Sequence, residues 1–196
     1  VTAGAGSGIV LSAAACMTGL DAARILQLPN TRGMKDQIII AKAHRGGYSH
    51  MYTFTGAALV EVGDAQAWTA EQIDAEINDD TAAVAFLLAP RVSRRGPTLV
   101  ETVEVAHARG VPVIVDAAAM LPPRSNLSKY ISEGADLVTV SGGKEIRGPQ
   151  ATGMLFGRKD LVAAALANHS PNHAIGRPHK VSREEMVGLY TALKLF

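Results

Sequence analysis

VPVIVDAAAMLPPRSNLSKYISEGADLVTVSGGK, residues 111–144, carries the reading of the fold. Two apolar runs, VPVIV and ADLVTV, flank a short helical stretch near 127–133. The first run stops at Asp116, and the second runs into Ser141, Gly142, Gly143 and Lys144. Strand, helix and strand in so short a length form a unit that builds parallel sheets covered by helices.

The same alternation extends in both directions. Upstream, QIIIAKA (37–43), ALVEVG (58–63) and AAVAFLLAP (82–90) are further strand-like runs, the last closed by Pro90. Thr69 followed by Gln72 is a capping-box start for the helix TAEQIDAEIND, and a helix around 97–109 ends at Gly110. After Gly8, IVLSAAACMTGL predicts a helix closed by Gly19, with TAGAGSG as a loop at its N-terminus. HRGGYSHMYTFTG (44–56) reads as a site-like connection between the first two strands. Downstream, TGMLFG (152–157) is one more strand, followed by a helix at 158–168, the irregular His- and Pro-rich PNHAIGRPHK (171–180) and a last helix from Ser182. No internal repeat or low-complexity tract interrupts the pattern. The expected architecture is one three-layer α/β/α domain with a mostly parallel sheet.

Bulk properties narrow the function classes. Of 196 residues, 47% are hydrophobic, which is ample for one sizeable core. Lys and Arg number 19 against 18 Asp and Glu, so no field is present to hold nucleic acid or an anionic membrane, although Arg91, Arg94 and Arg95 cluster locally. Cys16 is the single cysteine, which rules out a disulfide framework and a CxxC metal pair and points to a cytoplasmic setting. The apolar runs 9–17 and 82–89 are far shorter than the roughly 20 residues of a membrane span. The chain opens on Val1 and stops at Phe196 in an apparent helix without a cap, so a segment of a longer protein is expected.

In open parallel sheets, ligands sit beyond the carboxyl ends of the strands. The residues there are His44, Pro90 with Arg91, Asp116, and Ser141 to Lys144. Asp116 is either a structural acceptor or an acid kept ionised by a buried cation, for which a protonated pyridine nitrogen would serve. Lys144 is either a solvated loop charge or an amine desolvated in a cleft and so made nucleophilic. Gly142 and Gly143 are read as room for a flat ring beside the backbone. A nucleotide P-loop is excluded, because Glu145 follows Lys144 and Val138 stands where the first glycine belongs. AGAGSG fits neither a dinucleotide fingerprint nor a nucleophile elbow, which leaves N–H groups and the Ser7 hydroxyl as a phosphate cradle, or else a plain helix entry. His169 and His173 are four apart, but Pro171 between them opposes a continuous helix, and no metal site is expected.

A Gly/Ser segment opening a helix, Asp116 ending one strand and Lys144 ending the next 28 residues later resemble the large domain of fold-type I pyridoxal-phosphate enzymes. The resemblance is to the selenocysteine-synthase-like branch, which includes D-glucosaminate-6-phosphate ammonia-lyases. It is carried by VTAGAGSGIVLSAAA, IIIAKAHRGGYSH, GAALVEVGD, VPVIVDAAA and above all SGGKEIRGPQATGMLFGRKDL, which is similar to that branch's S-G-x-K-x-x-x-G-P-Q-x-G motif. GRPHKVSREEMVGLYTAL resembles the way out of the large domain, so residues 1–180 are expected to form that domain and 181–196 the helix leading on to a small one.

The resemblance implies pyridoxal 5'-phosphate as cofactor, Lys144 as the residue forming the internal aldimine, and Asp116 as the partner of the pyridine nitrogen. It further implies that Ala5, Gly6 and Ser7 bind the phosphate with Ser141 as an added donor, and that His44 stacks on the ring. Asp116-Ala117-Ala118-Ala119 departs from the common D-x-A-[HQ] pattern, which removes the usual side-chain contact after the acid. The implied activity is elimination of water and ammonia from a hydroxylated, sugar-derived amino acid to give a 2-keto acid. Selenium transfer on seryl-tRNA, aminotransfer, racemisation and a non-catalytic role stay open, since fold and cofactor do not fix a reaction. Sites of this kind are usually completed by a neighbouring subunit, so a homo-oligomer is expected and residues 1–196 alone are expected to be inactive. Arg91, Arg94, Arg95, Arg147 and Arg177 are the candidates for substrate anions.

Overall fold

The computed structural model describes residues 1–89 and 95–196. Five parallel strands, β1 (Gln37–Ala41), β2 (Ala58–Val62), β3 (Thr81–Leu87), β4 (Val113–Asp116) and β5 (Leu137–Ser141), are joined by β6 (Gly153–Gly157), which pairs antiparallel with β5. The order across the sheet is β2-β1-β3-β4-β5-β6. The chain therefore moves outward from β1 to β2, returns, and continues from β3 the other way. The switch point therefore lies between β1 and β3, and ligand sites in such sheets are expected beyond the carboxyl ends of the strands.

Helices cover both faces. On one side lie α1 (Gly4–Thr18), α2 (Ala22–Gln27), the single turn α3 (His50–Thr53) and α7 (Lys159–Ala167). On the other lie α4 (Ala70–Glu76), α5 (Leu99–Ala108), α6 (Asn126–Ser132) and α8 (Arg183–Leu195). Period-two alternation divides the strand side chains between two cores. Ile39, Val84, Val113 and Val115 pack with Ile73, Val103, Tyr130 and Leu189, whereas Ile38, Ile40, Ala83, Ala85 and Ile114 pack with Ile9, Ala13, Met17 and Tyr52. Leu11 and Ala15 of α1 form a third cluster with Leu161, Ala164 and Ala165 of α7. The three-layer expectation holds, and β3 and β4 are apolar because both of their faces are covered.

Two boundaries differ from the sequence reading in ways that bear on function. β1 ends at Ala41, and Lys42–His44 form a 3-10 turn. α1 begins at Gly4 with Ala3 as its N-cap, so the GAGS residues 4–7 are the helix's own first turn rather than a loop before it. Gly4 has φ +82°, a value that strains any residue with a side chain. Thr2 clamps this start by exchanging backbone hydrogen bonds with Gly153 of β6, at 2.9 and 2.8 Å. Gly8 lets α1 lie directly on β5, since a Cβ there would run into the Thr139 side chain. The Thr139 hydroxyl in turn donates to the Ala5 carbonyl at 3.3 Å. Periodicity missed α2, which is entered through Asp21, and α3, which is too short to show any. Among the described residues no helix is long and apolar enough to cross a membrane.

Candidate active site

At the carboxyl edge of β3, β4 and β5 lies a cavity of about 590 Å³. Its walls come from the first turn of α1 (Ala3 to Ser7), from Leu87, Leu88 and Ala89 after β3, from Asp116, Ala118 and Ala119 after β4, and from Ser141 and Lys144 after β5. Tyr48, Met51 and His179 complete it. Ala5, Gly6, Ser7, Asp116, Ser141 and Lys144 are thus gathered from segments up to 139 residues apart in the chain.

The first turn of α1 offers positive potential, of which only the Gly4 N–H is spent among the described residues, donating to the Thr2 carbonyl at 2.9 Å. The leading N–H groups of a helix have no intrahelical acceptor, and no side chain caps this one. The Ser7 hydroxyl stands beside them, 3.2 Å from His179 Nδ1.

Asp116 is the last residue of β4 and only 7% exposed. Burial raises its pKa above the ordinary carboxylate value; the Ala118 N–H, donating to Oδ1 at 3.0 Å, and the charge of Lys144 pull the other way. A buried acid so incompletely compensated calls for a cation in the cavity.

Lys144 stands on a tightly tied turn. Arg147 N–H donates to its carbonyl at 2.8 Å, Gly148 N–H to the Gly142 carbonyl at 2.9 Å, and Gln150 Nε2 to the Gly143 carbonyl at 2.9 Å. The side chain borders the cavity but is exposed, so this chain alone does not supply the desolvation expected around the amine. The glycines before it also acquire a different reason. A Cβ on Gly142 would meet the Thr152 side chain and, at 2.7 Å, Leu189 of α8; one on Gly143 would lie 2.7 Å from Gln150 Cα. Gly142 and Gly143 are required by close packing of the turn on Gln150, Thr152 and Leu189 of α8, and neither lines the cavity.

His44 is the residue placed elsewhere. It is buried, edge-on to Trp68 at 4.4 Å and to Phe86 at 4.7 Å between ring centroids, and it does not line the large cavity. Burial holds its pKa down at about 4, so the ring is neutral, and Nδ1 accepts from Leu87 N–H at 3.4 Å. It shapes the end of β3 and, with Tyr48 and Asp116, borders a small adjoining cavity of about 60 Å³. Pro90, Arg91 and Arg94 lie outside the described residues. Arg95, Arg147 and Arg177 are exposed and do not line the cavity.

Sequence reasoning missed Tyr48, Met51 and His179 as site residues. The connection HRGGYSHMYTFTG was recognisable as site-like, yet nothing in it singled out Tyr48 or Met51. His179 carried no local signal, because its position depends on the fold of residues 168–180.

Comparison with known proteins places this geometry. The family model of class-V aminotransferases matches residues 19–179. The chain belongs to the class-V aminotransferase family. Membership implies pyridoxal 5'-phosphate as cofactor. Over 99% of its length the chain is 34% identical to D-glucosaminate-6-phosphate ammonia lyase of Salmonella typhimurium, covering 52% of that protein. A solved structure of D-glucosaminate-6-phosphate ammonia-lyase superposes with a TM-score of 0.91 at 33% identity, over 99% of this chain and 52% of that one. The chain is equally, 34%, identical to a 5'-C-glycyluridine monooxygenase-decarboxylase from a Streptomyces species (97% of this chain, 48% of the relative). It is 30% identical to the L-seryl-tRNA(Sec) selenium transferase of Rhizobium meliloti (90% and 41%), which joins it to selenocysteine-synthase-like relatives. The chain spans about half the length of the curated relatives it matches. The cavity fits the implied cofactor: an uncapped helix start suits a phosphate, buried Asp116 suits a protonated ring nitrogen, and Lys144 stands at the wall with its amine.

Proposed function

We propose that this chain is the cofactor-binding part of a pyridoxal-phosphate-dependent lyase that eliminates water from a hydroxylated, sugar-derived amino acid and, with one water returned on hydrolysis, releases ammonia to leave a 2-keto acid. The observation that carries the proposal is the convergence of Lys144, Asp116 and the first turn of α1 on one cavity. When bound, the cofactor supplies an electron sink for the bond broken at the substrate Cα. Ala5, Gly6 and Ser7 hold its phosphate through backbone N–H groups and the Ser7 hydroxyl, with Ser141 as a further donor. Asp116 keeps the ring nitrogen protonated by charge pairing in poor solvent. Lys144 Nζ would be the amine that holds the cofactor at the cavity wall and, when free, would serve as the base for the substrate Cα proton. Leu87, Leu88, Ala89 and Met51 give the cavity apolar walls that limit water. His44 supports the wall through Leu87.

Similarity to the ammonia lyase favours D-glucosaminate 6-phosphate as the first substrate to try. Equal identity to a monooxygenase-decarboxylase supports the cofactor site more strongly than the reaction. The near-neutral charge speaks against a tRNA substrate. A homo-oligomer that shields Lys144 would supply the desolvation this chain lacks. The test is to incubate the purified full-length protein, rather than residues 1–196 alone, with D-glucosaminate 6-phosphate and no keto-acid acceptor. Release of ammonia with a 2-keto acid is expected; acceptor-dependent turnover would make it an aminotransferase, and absence of cofactor absorbance, roughly at 400–430 nm, would remove the reading.

A further inference from the structure

His179 reaches the start of α1 from 172 residues away in sequence. The segment that carries it is folded, not draped. Gly176 N–H donates to the Asn168 carbonyl and His179 N–H to the Gly176 carbonyl, at 2.9 and 3.0 Å, and Arg177–His179 form a 3-10 turn containing Pro178. Gly176 sits so close to Asn168 and Leu11 that a Cβ would reach the Leu11 side chain at 2.6 Å. The imidazole is thereby held with Nδ1 at 3.2 Å from Ser7 Oγ and its ring 5.8 Å from that of Phe54. Both Ser7 and His179 line the 590 Å³ cavity.

A serine hydroxyl has one proton, and this contact decides where it points. If Nδ1 is the bare nitrogen, Ser7 donates to the ring and presents only lone pairs to the cavity. If Nδ1 carries hydrogen, it donates to Oγ, and the Ser7 proton is free to face the cavity. An anion, which can only accept, selects the second arrangement.

We propose that His179 is a positioning residue for the anion at the start of α1: its Nδ1–H donates to Ser7 Oγ and so makes the Ser7 hydroxyl a donor to the phosphate. This rests on the reading of the cavity as a cofactor site and adds to it a residue from the far end of the chain. Burial, and to a smaller extent the nearby His169, hold the pKa of His179 down, so the choice lies between two neutral tautomers of one ring.

The test is titration of the purified protein with pyridoxal 5'-phosphate, with inorganic phosphate as competitor. Ser7→Ala and His179→Ala are each expected to weaken both ligands about tenfold, as loss of a hydrogen bond to a charged group does. The double variant is expected to bind no worse than Ser7→Ala, because His179 acts only through Ser7. His179→Asn, whose amide N–H falls near Nδ1, should recover most of the loss; His179→Gln, whose amide reaches toward Nε2, should not. In ¹⁵N spectra of the loaded protein, Nδ1 of His179 should carry hydrogen. Wild-type affinity in His179→Ala, multiplying losses in the double variant, or a bare Nδ1 in the loaded protein would each overturn the proposal while leaving the cofactor reading in place. Failure of the wild-type protein to take up either ligand would remove both.

Discussion

Asp116 and Asp136 are two buried aspartates at opposite edges of one sheet, and the fold treats them oppositely. Asp136 precedes β5 at the amino edge and is 5% exposed. His107 Nε2 lies 2.8 Å from its Oδ2, which also accepts from Val113 N–H at 2.8 Å, and Arg158 donates to Oδ1 at 2.9 Å. Asp116 ends β4 at the carboxyl edge with 7% exposure, and among the described residues its carboxylate accepts one hydrogen bond, from Ala118. The first is a finished structural network. The second is held in poor solvent with room for a cation, and it borders the 590 Å³ cavity.

The comparison can be broken most forcefully at Lys144, whose presence beside Asp116 gives that edge its chemistry. Lys144→Ala is expected to lower turnover by about 10³-fold or more and to abolish the cofactor's lysine-linked absorbance, with an unchanged melting temperature of the cofactor-free protein. Asp116→Asn should cost turnover about a hundredfold, the equivalent of roughly 3 kcal/mol for a buried charge left without its partner. Steady-state kinetics checks both.

Asp136→Asn, the same substitution at the other edge, should instead destabilise the fold. A loss of about 2 kcal/mol in urea unfolding is expected, discounted because the Arg158 side chain is 51% exposed. Gly142→Ala should cost about 1–3 kcal/mol in the same measurement through overpacking against Thr152 and Leu189, and should lower cofactor retention because Lys144 rides on that turn.

The smallest effect carries the sharpest sign. The folded-state pKa of Asp116 is raised, so between its ordinary value and that raised value the folded protein binds more protons than the unfolded chain. Stability of the cofactor-free protein therefore falls as pH rises through that window. Asp116→Asn escapes this cost: it should melt slightly above wild type at neutral pH, with the gap closing on acidification. A variant that melts lower at every pH would place Asp116 with Asp136 among structural acids.

Much of this was legible in local sequence. The β-branched runs, the capping box Thr69 with Gln72, the helix start at Ser182 and the change from period two to helical spacing reflect interactions within a few residues, and these elements formed near where expected, α2 and α3 being missed. Asp116 and Lys144 stood out because carboxyl ends of parallel strands converge whatever the loops do. His44 misled for an instructive reason: it follows β1 as a cofactor-facing residue would, but Trp68 and Phe86, distant in sequence, offer its ring an apolar slot. The glycines before Lys144 misled likewise, because their neighbours are Leu189 of α8 and, on the turn leading into β6, Gln150 and Thr152.

What the sequence determined by itself was the order of strands and helices, the family motif around Lys144 and the identity of the acid and amine, all written in residues near one another. What only tertiary structure decided was which of those residues share a cavity, where His44 turned, and that His179 meets Ser7. Those outcomes depend on close packing between segments far apart in the chain, where a single Cβ at Gly8 or Gly142 would change the fit.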